Sequence, residues 1–277
     1  MPRYRHALPQ LSNRLFVTDG GIETTLIFHH GLELPSFAAF VLLERKAGIE
    51  ALERYFQSYA DLAVRHGTGL VLESPTWRAS RDWGAQLGYS RSALDDLNRR
   101  AIALIASFRQ RPELQRRDVV LSGNIGPRGD GYIPGAMMSA NHAADYHAEQ
   151  ITTFAATDAD LVSAFTINYT EEAIGVARAA SWLGMPAVIS FTVETDGNLP
   201  TGETLQAAIE RTDLATDGYP AYYMINCAHP SHFQDVLMPG SQWTRRLRGI
   251  RANASRMSHA QLNEATALDQ GDPVQLG

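Results

Sequence analysis

Cysteine is almost absent from this chain, since Cys227 is the one cysteine among 277 residues. A single thiol cannot form a disulfide within the chain, which excludes the internal disulfide framework typical of small secreted domains. Chains that use cysteine so sparingly suit a reducing compartment. The composition therefore predicts a cytoplasmic protein.

Long apolar runs and an excess of positive charge are missing as well. No run approaches the roughly 20 apolar residues needed to span a bilayer, and the first residues lack the apolar core of a secretory signal. The formal net charge is −6. Because nucleic acids and anionic membranes both require clustered positive charge, we expect no nucleic-acid partner and no membrane partner.

The chain consists of alternating strand-like and helix-like segments. Short runs typical of strands that are buried on both faces occur at 15–18, 69–73, 119–123, 161–167, 187–193, 221–226 and 247–252. Amphipathic segments with helical spacing lie between and after them, near 49–63, 93–108, 140–156, 171–183, 205–215 and 260–268. No Ser-, Gly- or Pro-rich linker interrupts this pattern, which predicts a single domain over residues 1–277.

A strand–helix alternation repeated seven times predicts an α/β fold with a parallel sheet covered by helices. We expect a (β/α)8 TIM-type barrel, which takes ~250 residues, with seven of the eight strands present in this chain. The eighth strand is expected beyond Gly277, so the first and seventh strands would have unpaired edges that favour self-association. A doubly wound open sheet is the competing architecture, although Asp19-Gly20-Gly21 is not its GxGxxG fingerprint.

Polar residues collect where the predicted strands end. Asp19 follows the first run, Glu73 ends the second, Cys227 follows the sixth and Asn253 follows the seventh. Because a barrel brings the C-terminal ends of its strands together, we expect these residues around a common cavity. Simpler interpretations exist: Asp19 with its two glycines suits a turn, and a lone cysteine is more often a buried packing residue.

Two further features are interpreted as structural. His229, two residues after Cys227, has the position of a second metal ligand, but such a histidine is more often a surface or helix-start residue. The glycine-rich stretch 123–131 resembles a phosphate-binding loop. No Gly-Lys-Ser/Thr follows it, so we expect a structured turn there.

Taken together, these segments resemble the homocysteine S-methyltransferase family, whose fold is a (β/α)8 barrel. The resemblance runs from about residue 16 to the end of the chain. It rests on segments near the ends of four strands: 18–24 (Thr-Asp-Gly-Gly-Ile-Glu-Thr), 122–127 (Ser-Gly-Asn-Ile-Gly-Pro), 190–193 (Ser-Phe-Thr-Val) with 202–205 (Gly-Glu-Thr-Leu), and 225–227 (Ile-Asn-Cys).

The resemblance implies an activity and a cofactor. In this family a zinc ion held by cysteines binds the thiol of homocysteine and keeps it deprotonated, because the thiolate is the nucleophile. The thiolate then takes a methyl group from an onium-type donor, which gives methionine. The implied partners are a small-molecule thiol and a methyl donor, and S-methylmethionine, S-adenosylmethionine and a betaine all stay open as donors.

The resemblance also assigns roles to single residues. Cys227 is expected to be a zinc ligand, and Asn226 is expected to orient this ligand without binding the metal itself. Asp19 is expected to hold the substrate's ammonium group by a charge-assisted hydrogen bond. Three further residues are expected to contact the substrate: Glu23, Trp77 and Asn253.

The chain departs from the family pattern in two places. The family completes its zinc site with a cysteine pair in a Gly-Gly-Cys-Cys segment near the eighth strand, so two further cysteine ligands are expected beyond Gly277. The 277-residue chain by itself is then expected to be inactive. Phe165 also stands where the family commonly has a glutamate that contacts the amino group of homocysteine, which leaves the acceptor open.

Two other functions fit the same sequence. One is a metal-free barrel hydrolase or lyase, with Asp19, Glu73 and Glu194 as acid–base groups. The other is a non-catalytic, incomplete barrel that acts as an interaction module.

Overall fold

The structure, a computed structural model, describes residues 1–237, 240–272 and 274. Within these residues the strands are β1 (Phe16–Thr18), β2 (Gly69–Glu73), β3 (Val119–Ile125), β4 (Leu161–Ile167), β5 (Ala187–Thr192), β6 (Tyr222–Asn226) and β7 (Leu247–Arg251). The α-helices are α1 (Ile22–Thr24), α2 (Lys46–His66), α3 (Arg81–Gln86), α4 (Arg91–Phe108), α5 (Ala140–Ala155), α6 (Thr170–Trp182), α7 (Leu205–Thr216), α8 (Pro230–Phe233) and α9 (His259–Glu264).

The order of the strands decides between the two predicted architectures. The strands are arranged β1-β2-β3-β4-β5-β6-β7 in one sheet. Pairs with described registers are parallel, with Val17 opposite Leu70 and Ile225 opposite Ile250 as examples. A doubly wound sheet would reverse its strand order, whereas sequential parallel strands alternating with helices are the order of a barrel. The fold is therefore α/β of the TIM-barrel type, as predicted.

Burial explains why most strands show no polar alternation. Every residue of β2, β3, β4, β5 and β6 is buried. Strands covered on both faces need apolar or hydrogen-bonded residues at each position, which gives continuous runs. Strand β7 differs, because Arg248 and Ile250 are exposed between half-buried neighbours.

The contacts group the chain into two compact units. Unit 1 consists of residues 1–128, 146–163 and 180–186, and unit 2 of residues 129–145, 164–179 and 187–277. Strands β1 to β3 thus belong to unit 1, and β5 to β7 belong to unit 2.

In unit 1, α2 supports the end of β1. Its apolar residues recur at helical spacing, and Leu52, Tyr55 and Phe56 are buried. The helix ends at Gly67, whose φ of 70° is the left-handed conformation that glycine adopts without a steric penalty.

In the described part of the chain, no helix is both long enough and apolar enough to cross a membrane.

In unit 2, α9 begins with a capping box. The Ser258 hydroxyl accepts a hydrogen bond from the Gln261 backbone N–H, and the Gln261 side chain accepts one from the Ser258 N–H. This arrangement satisfies two backbone donors at the helix start. Ser258 is therefore the N-cap of α9, and it fixes His259 as the first residue of this helix.

Candidate functional site

The side chain of Asn226 organises the end of β6. It is 1% exposed. Its Oδ1 accepts hydrogen bonds from Ser190 Oγ at 2.6 Å and from the Thr166 N–H at 3.0 Å. Its Nδ2 donates to Thr166 Oγ1 at 3.0 Å and to Cys227 Sγ at 3.1 Å. Two donated and two accepted bonds use the whole capacity of an amide, so this side chain has one orientation.

Cys227 follows in a left-handed backbone conformation, with φ of 57°. Its N–H donates to the Arg251 carbonyl at 3.1 Å. Its own carbonyl accepts from Asn253 Nδ2 at 3.0 Å and lies 2.7 Å from His259 Nε2. A left-handed residue other than glycine costs roughly 1–2 kcal/mol, so these bonds hold a turn that cysteine does not favour. The free thiol is half-buried.

Thr166 on β4 is a second left-handed residue, with φ of 63°. A β-branched residue in this region is an outlier, since its side chain crowds the backbone. Both its N–H and its hydroxyl are bonded to Asn226. Such outliers store on the order of 1–3 kcal/mol each and cluster at functional sites. The end of β6 is therefore the candidate site in unit 2.

His259 contacts this turn through Nε2 and contacts Glu194 through Nδ1. Its side chain is 8% exposed, and its Nδ1 lies 3.1 Å from Glu194 Oε1 while its Nε2 faces the Cys227 carbonyl. The ring of Tyr132 lies against it, with centroids 4.2 Å apart and planes at 32°. Glu194, one of the predicted acid–base carboxylates, thus contacts a histidine whose role the sequence did not indicate.

His229 has the helix-start role favoured by the sequence. It is the N-cap of α8, and its Nδ1 accepts the Ser231 N–H at 3.1 Å. Burial lowers the pKa of His229, and the charges of Arg256 and His232 lower it further. The ring lines a cavity of about 330 Å³ together with Arg256. A nitrogen that accepts a backbone N–H has its lone pair occupied, so Nδ1 is not placed as a metal ligand.

Phe165 stands where the resemblance implies a glutamate that contacts the amino group of the acceptor, and it is 3% exposed. The guanidinium carbon of Arg251 lies 4.0 Å from its ring centroid, in a cation–π contact. A phenyl ring cannot accept the charge-assisted hydrogen bonds of an ammonium group as a carboxylate does. This position in unit 2 therefore does not supply the carboxylate that an amino acid would need.

In unit 1, Asp19 lies at the end of β1 with 2% exposure. Its Oδ1 accepts the Glu73 N–H at 2.9 Å, and its Oδ2 accepts the Tyr55 hydroxyl at 3.2 Å. The neighbouring strand and helix α2 thus orient this carboxylate. Two of the predicted strand-end residues, Asp19 and Glu73, are in direct contact.

Glu23 and Trp77 also belong to unit 1, and both are half-buried. Glu23 lies in the single turn of α1. The guanidinium carbon of Arg78 lies 3.8 Å from the ring centroids of both Trp77 and Trp83. A Cβ at Gly126 would lie 2.3 Å from the Trp77 carbonyl oxygen, so the chain after β3 can approach Trp77 only because this residue is glycine.

The zinc ion implied by the resemblance needs at least three protein ligands. Among residues 1–237, 240–272 and 274, no group of three or more His, Cys, Asp and Glu side chains is placed to hold a metal ion. Cys227 Sγ, with the Asn226 amide directed at it, suits one thiolate ligand. The described residues by themselves therefore do not fit a zinc ion.

Comparison with solved structures shows the same fold. The chain is similar to the metallated form of the homocysteine methyltransferase MmuM from Escherichia coli, with 19% identity, a TM-score of 0.66 and coverage of 84% of this chain and 81% of that one. The oxidized form of that enzyme gives 18% identity, a TM-score of 0.68 and coverage of 85% and 81%. No curated protein sequence matches the chain.

Comparison with protein families gives the identity of the domain. The sequence profile described as homocysteine S-methyltransferase matches residues 16–271. This range contains all seven described strands and every predicted site residue, from Asp19 to Asn253. The chain belongs to the homocysteine S-methyltransferase family.

Proposed function

We propose that the function of this protein is the transfer of a methyl group from an onium-type donor to the thiol of homocysteine, which gives methionine. Family membership supports a methyltransferase. The proposal rests mainly on the sulfur of Cys227, which accepts a hydrogen bond from Asn226 Nδ2 at 3.1 Å. Cys227 has a left-handed backbone conformation at the end of β6. A packing cysteine would need neither the directed donor nor the strained turn.

In the proposed reaction, a lone pair of the acceptor sulfur forms a bond to the methyl carbon while the bond from that carbon to the positively charged donor atom breaks. The thiol proton must be lost, because the thiolate is the competent nucleophile. Zinc is the cofactor that the family implies, and Cys227 is the ligand that we assign to it. The described residues offer one suitable thiolate for such an ion.

For unit 1 we propose that Asp19 binds the ammonium group of the acceptor. Its carboxylate is buried and is oriented by the Glu73 N–H and the Tyr55 hydroxyl. A carboxylate has about four lone-pair sites and can accept further hydrogen bonds from a cation. Charge-assisted bonds to a buried carboxylate are among the stronger polar contacts. Glu23 and Trp77 stay predicted contacts of the substrate.

For unit 2 we propose a modified role for Asn253. The sequence predicts it as a substrate contact, but its Nδ2 donates to the Cys227 carbonyl at 3.0 Å. This bond supports a role in holding the Cys227 turn. Phe165 stacks with Arg251 and brings no carboxylate, so the proposed recognition of the amino group rests on Asp19.

The acceptor is tested by calorimetric titration of the purified chain with L-homocysteine. We expect binding to the wild type and binding at least about tenfold weaker for Asp19→Asn, since a charge-assisted bond contributes roughly 1.5–3 kcal/mol. The matched control is Asp61→Asn, which removes an exposed carboxylate on α2 and should leave affinity unchanged. Absence of homocysteine binding by the wild type would overturn the proposed acceptor.

Zinc is tested separately by elemental analysis of the same preparations. Because the whole sequence contains one cysteine, we propose that this chain alone binds zinc below one equivalent and does not form methionine from homocysteine. Full occupancy that disappears in Cys227→Ser would contradict this part and would require ligands other than cysteine. The titration with homocysteine stands independently of that outcome.

A further inference from the structure

We propose that His259 is a positioning residue for Cys227: its ring holds the carbonyl of the Cys227 turn and thereby sets the direction of the thiol. The proposal deepens the proposed function, because it rests on Cys227 being the sulfur of the site. Neither the predicted zinc ligands nor the predicted substrate contacts include this histidine.

The hydrogen bonds at Cys227 carry the first step. The residue is left-handed, with φ of 57°, and three bonds fix its peptide groups. The contact to His259 Nε2 is the shortest, at 2.7 Å, compared with 3.0 Å to Asn253 Nδ2 and 3.1 Å to the Arg251 carbonyl. A carbonyl oxygen only accepts, so Nε2 carries the hydrogen in this contact.

The surroundings of His259 keep the ring in place. Its side chain is 8% exposed, and its Nδ1 lies 3.1 Å from Glu194 Oε1. Tyr132 lies against one face, and the capping box of Ser258 fixes the backbone at the start of α9. A donor that is already fixed loses little conformational entropy when it holds its acceptor.

The geometry links this contact to the sulfur. The carbonyl carbon and Cβ of Cys227 turn together about its N–Cα bond, so a change of the left-handed φ that moves the carbonyl away from Nε2 also moves Sγ. The thiol would then leave the Asn226 amide, which is 3.1 Å away.

Alkylation by iodoacetamide in the presence of a chelator tests the proposal, because Cys227 is the sole cysteine and the rate reports on it alone. Loss of one hydrogen bond in His259→Ala should release the turn and raise the alkylation rate about fivefold. The matched control is His147→Ala, which removes a fully buried imidazole from unit 1 and should leave the rate unchanged. Equal rates in the wild type and His259→Ala would overturn the proposal.

A second pair of variants covers the case in which His259→Ala does not fold. Glutamine places its amide nitrogen about as far along the side chain as Nε2, whereas asparagine reaches only as far as Nδ1. We expect His259→Gln to keep the slow alkylation and His259→Asn to lose it. The same rate in both variants would contradict a positioning role. This assay needs neither zinc nor a methyl donor, so its failure is distinct from failure of the proposed methyl transfer.

Discussion

Asn226 shows why the end of β6 needs an amide and not a carboxylate. Its Nδ2 donates hydrogen bonds to Thr166 Oγ1 and Cys227 Sγ, and its Oδ1 accepts hydrogen bonds from Ser190 Oγ and the Thr166 N–H. An aspartate has the same shape but no donor when ionised. The amide therefore stabilises two strained residues, Thr166 and Cys227, and ties three neighbouring strands together in unit 2.

We expect Asn226→Asp to lower the free energy of unfolding by about 2 kcal/mol or more, because it removes two donors and buries a charge at a position that is 1% exposed. Urea denaturation followed by circular dichroism measures the change. The matched control is Asn141→Asp on α5, where the side chain is exposed and should change stability by less than about 0.5 kcal/mol. Equal losses in the two variants would show that the Asn226 network contributes nothing.

The left-handed backbone conformations of Thr166 and Cys227 could not be predicted from the sequence. The position of Asn226 and Cys227 at a strand end was predicted, and the structure places them there. Positive φ is signalled in a sequence by glycine or asparagine, and neither Thr166 nor Cys227 carries that signal. The contact between His259 and Cys227 joins residues 32 positions apart, and no periodic pattern relates two such side chains.

At the scale of elements, the strands were predicted better than the short helices. β2 and β4 have the predicted bounds, because uniform burial gives continuous apolar runs with clear ends. β3 extends to Ile125, beyond the predicted end at Gly123. A Cβ at Gly123 would lie 2.4 Å from the Phe154 ring, so this glycine makes room for helix packing inside the strand and does not begin a loop.

Helix α3 was missed altogether. It has six residues and contains Gly84, so it is too short to show a helical period and carries a residue that weakens helices. A Cβ at Gly84 would lie 2.2 Å from a methyl carbon of Leu94. Gly84 therefore makes α3 hard to predict from the sequence, and the same glycine allows α3 to pack against α4.

A polar contact joins α4 to α5 in unit 1 and gives a pH-dependent prediction. Asp95 accepts from Arg99 Nε at 2.8 Å and from Thr153 Oγ1 at 2.5 Å. These hydrogen bonds lower the pKa of Asp95 from its ordinary value of 3.8. A carboxyl with a lowered pKa stabilises the folded state above its unfolded pKa, and this contribution is lost as the pH falls through the folded pKa.

We therefore expect Asp95→Asn to be less stable than the wild type near pH 7, by less than about 1 kcal/mol because the carboxylate is 44% exposed. The difference should shrink progressively below about pH 4. Urea midpoints measured across this range test the expectation. Asp96→Asn is the matched control, since its carboxylate is 65% exposed and lies 3.6 Å from Arg100. A difference between Asp95→Asn and the wild type that does not depend on pH would contradict the argument.

At the scale of the whole chain, Asp160 connects distant parts of the sequence within unit 1. Its Oδ1 accepts the N–H groups of Arg3 and Tyr4, both at 2.8 Å, and its Oδ2 accepts the Leu121 N–H at 2.9 Å. It is fully buried and forms an ion pair with Arg109, whose side chain is 6% exposed. Burial lowers the pKa of Arg109, and the charge of Asp160 opposes that shift.

Removal of the Asp160 carboxylate should therefore be among the most destabilising single changes in unit 1. We expect Asp160→Ala to lower the free energy of unfolding by about 3–5 kcal/mol, because it leaves the Arg109 charge buried without this partner. Three backbone N–H groups also lose their acceptor, so hydrogen exchange at Arg3 and Tyr4 should accelerate. Asp158→Ala is the matched control, since that carboxylate is 49% exposed, pairs with the chain's amino terminus and should cost less than about 1 kcal/mol. Similar losses for the two variants would mean that Asp160 does not anchor the first residues to the interior of unit 1.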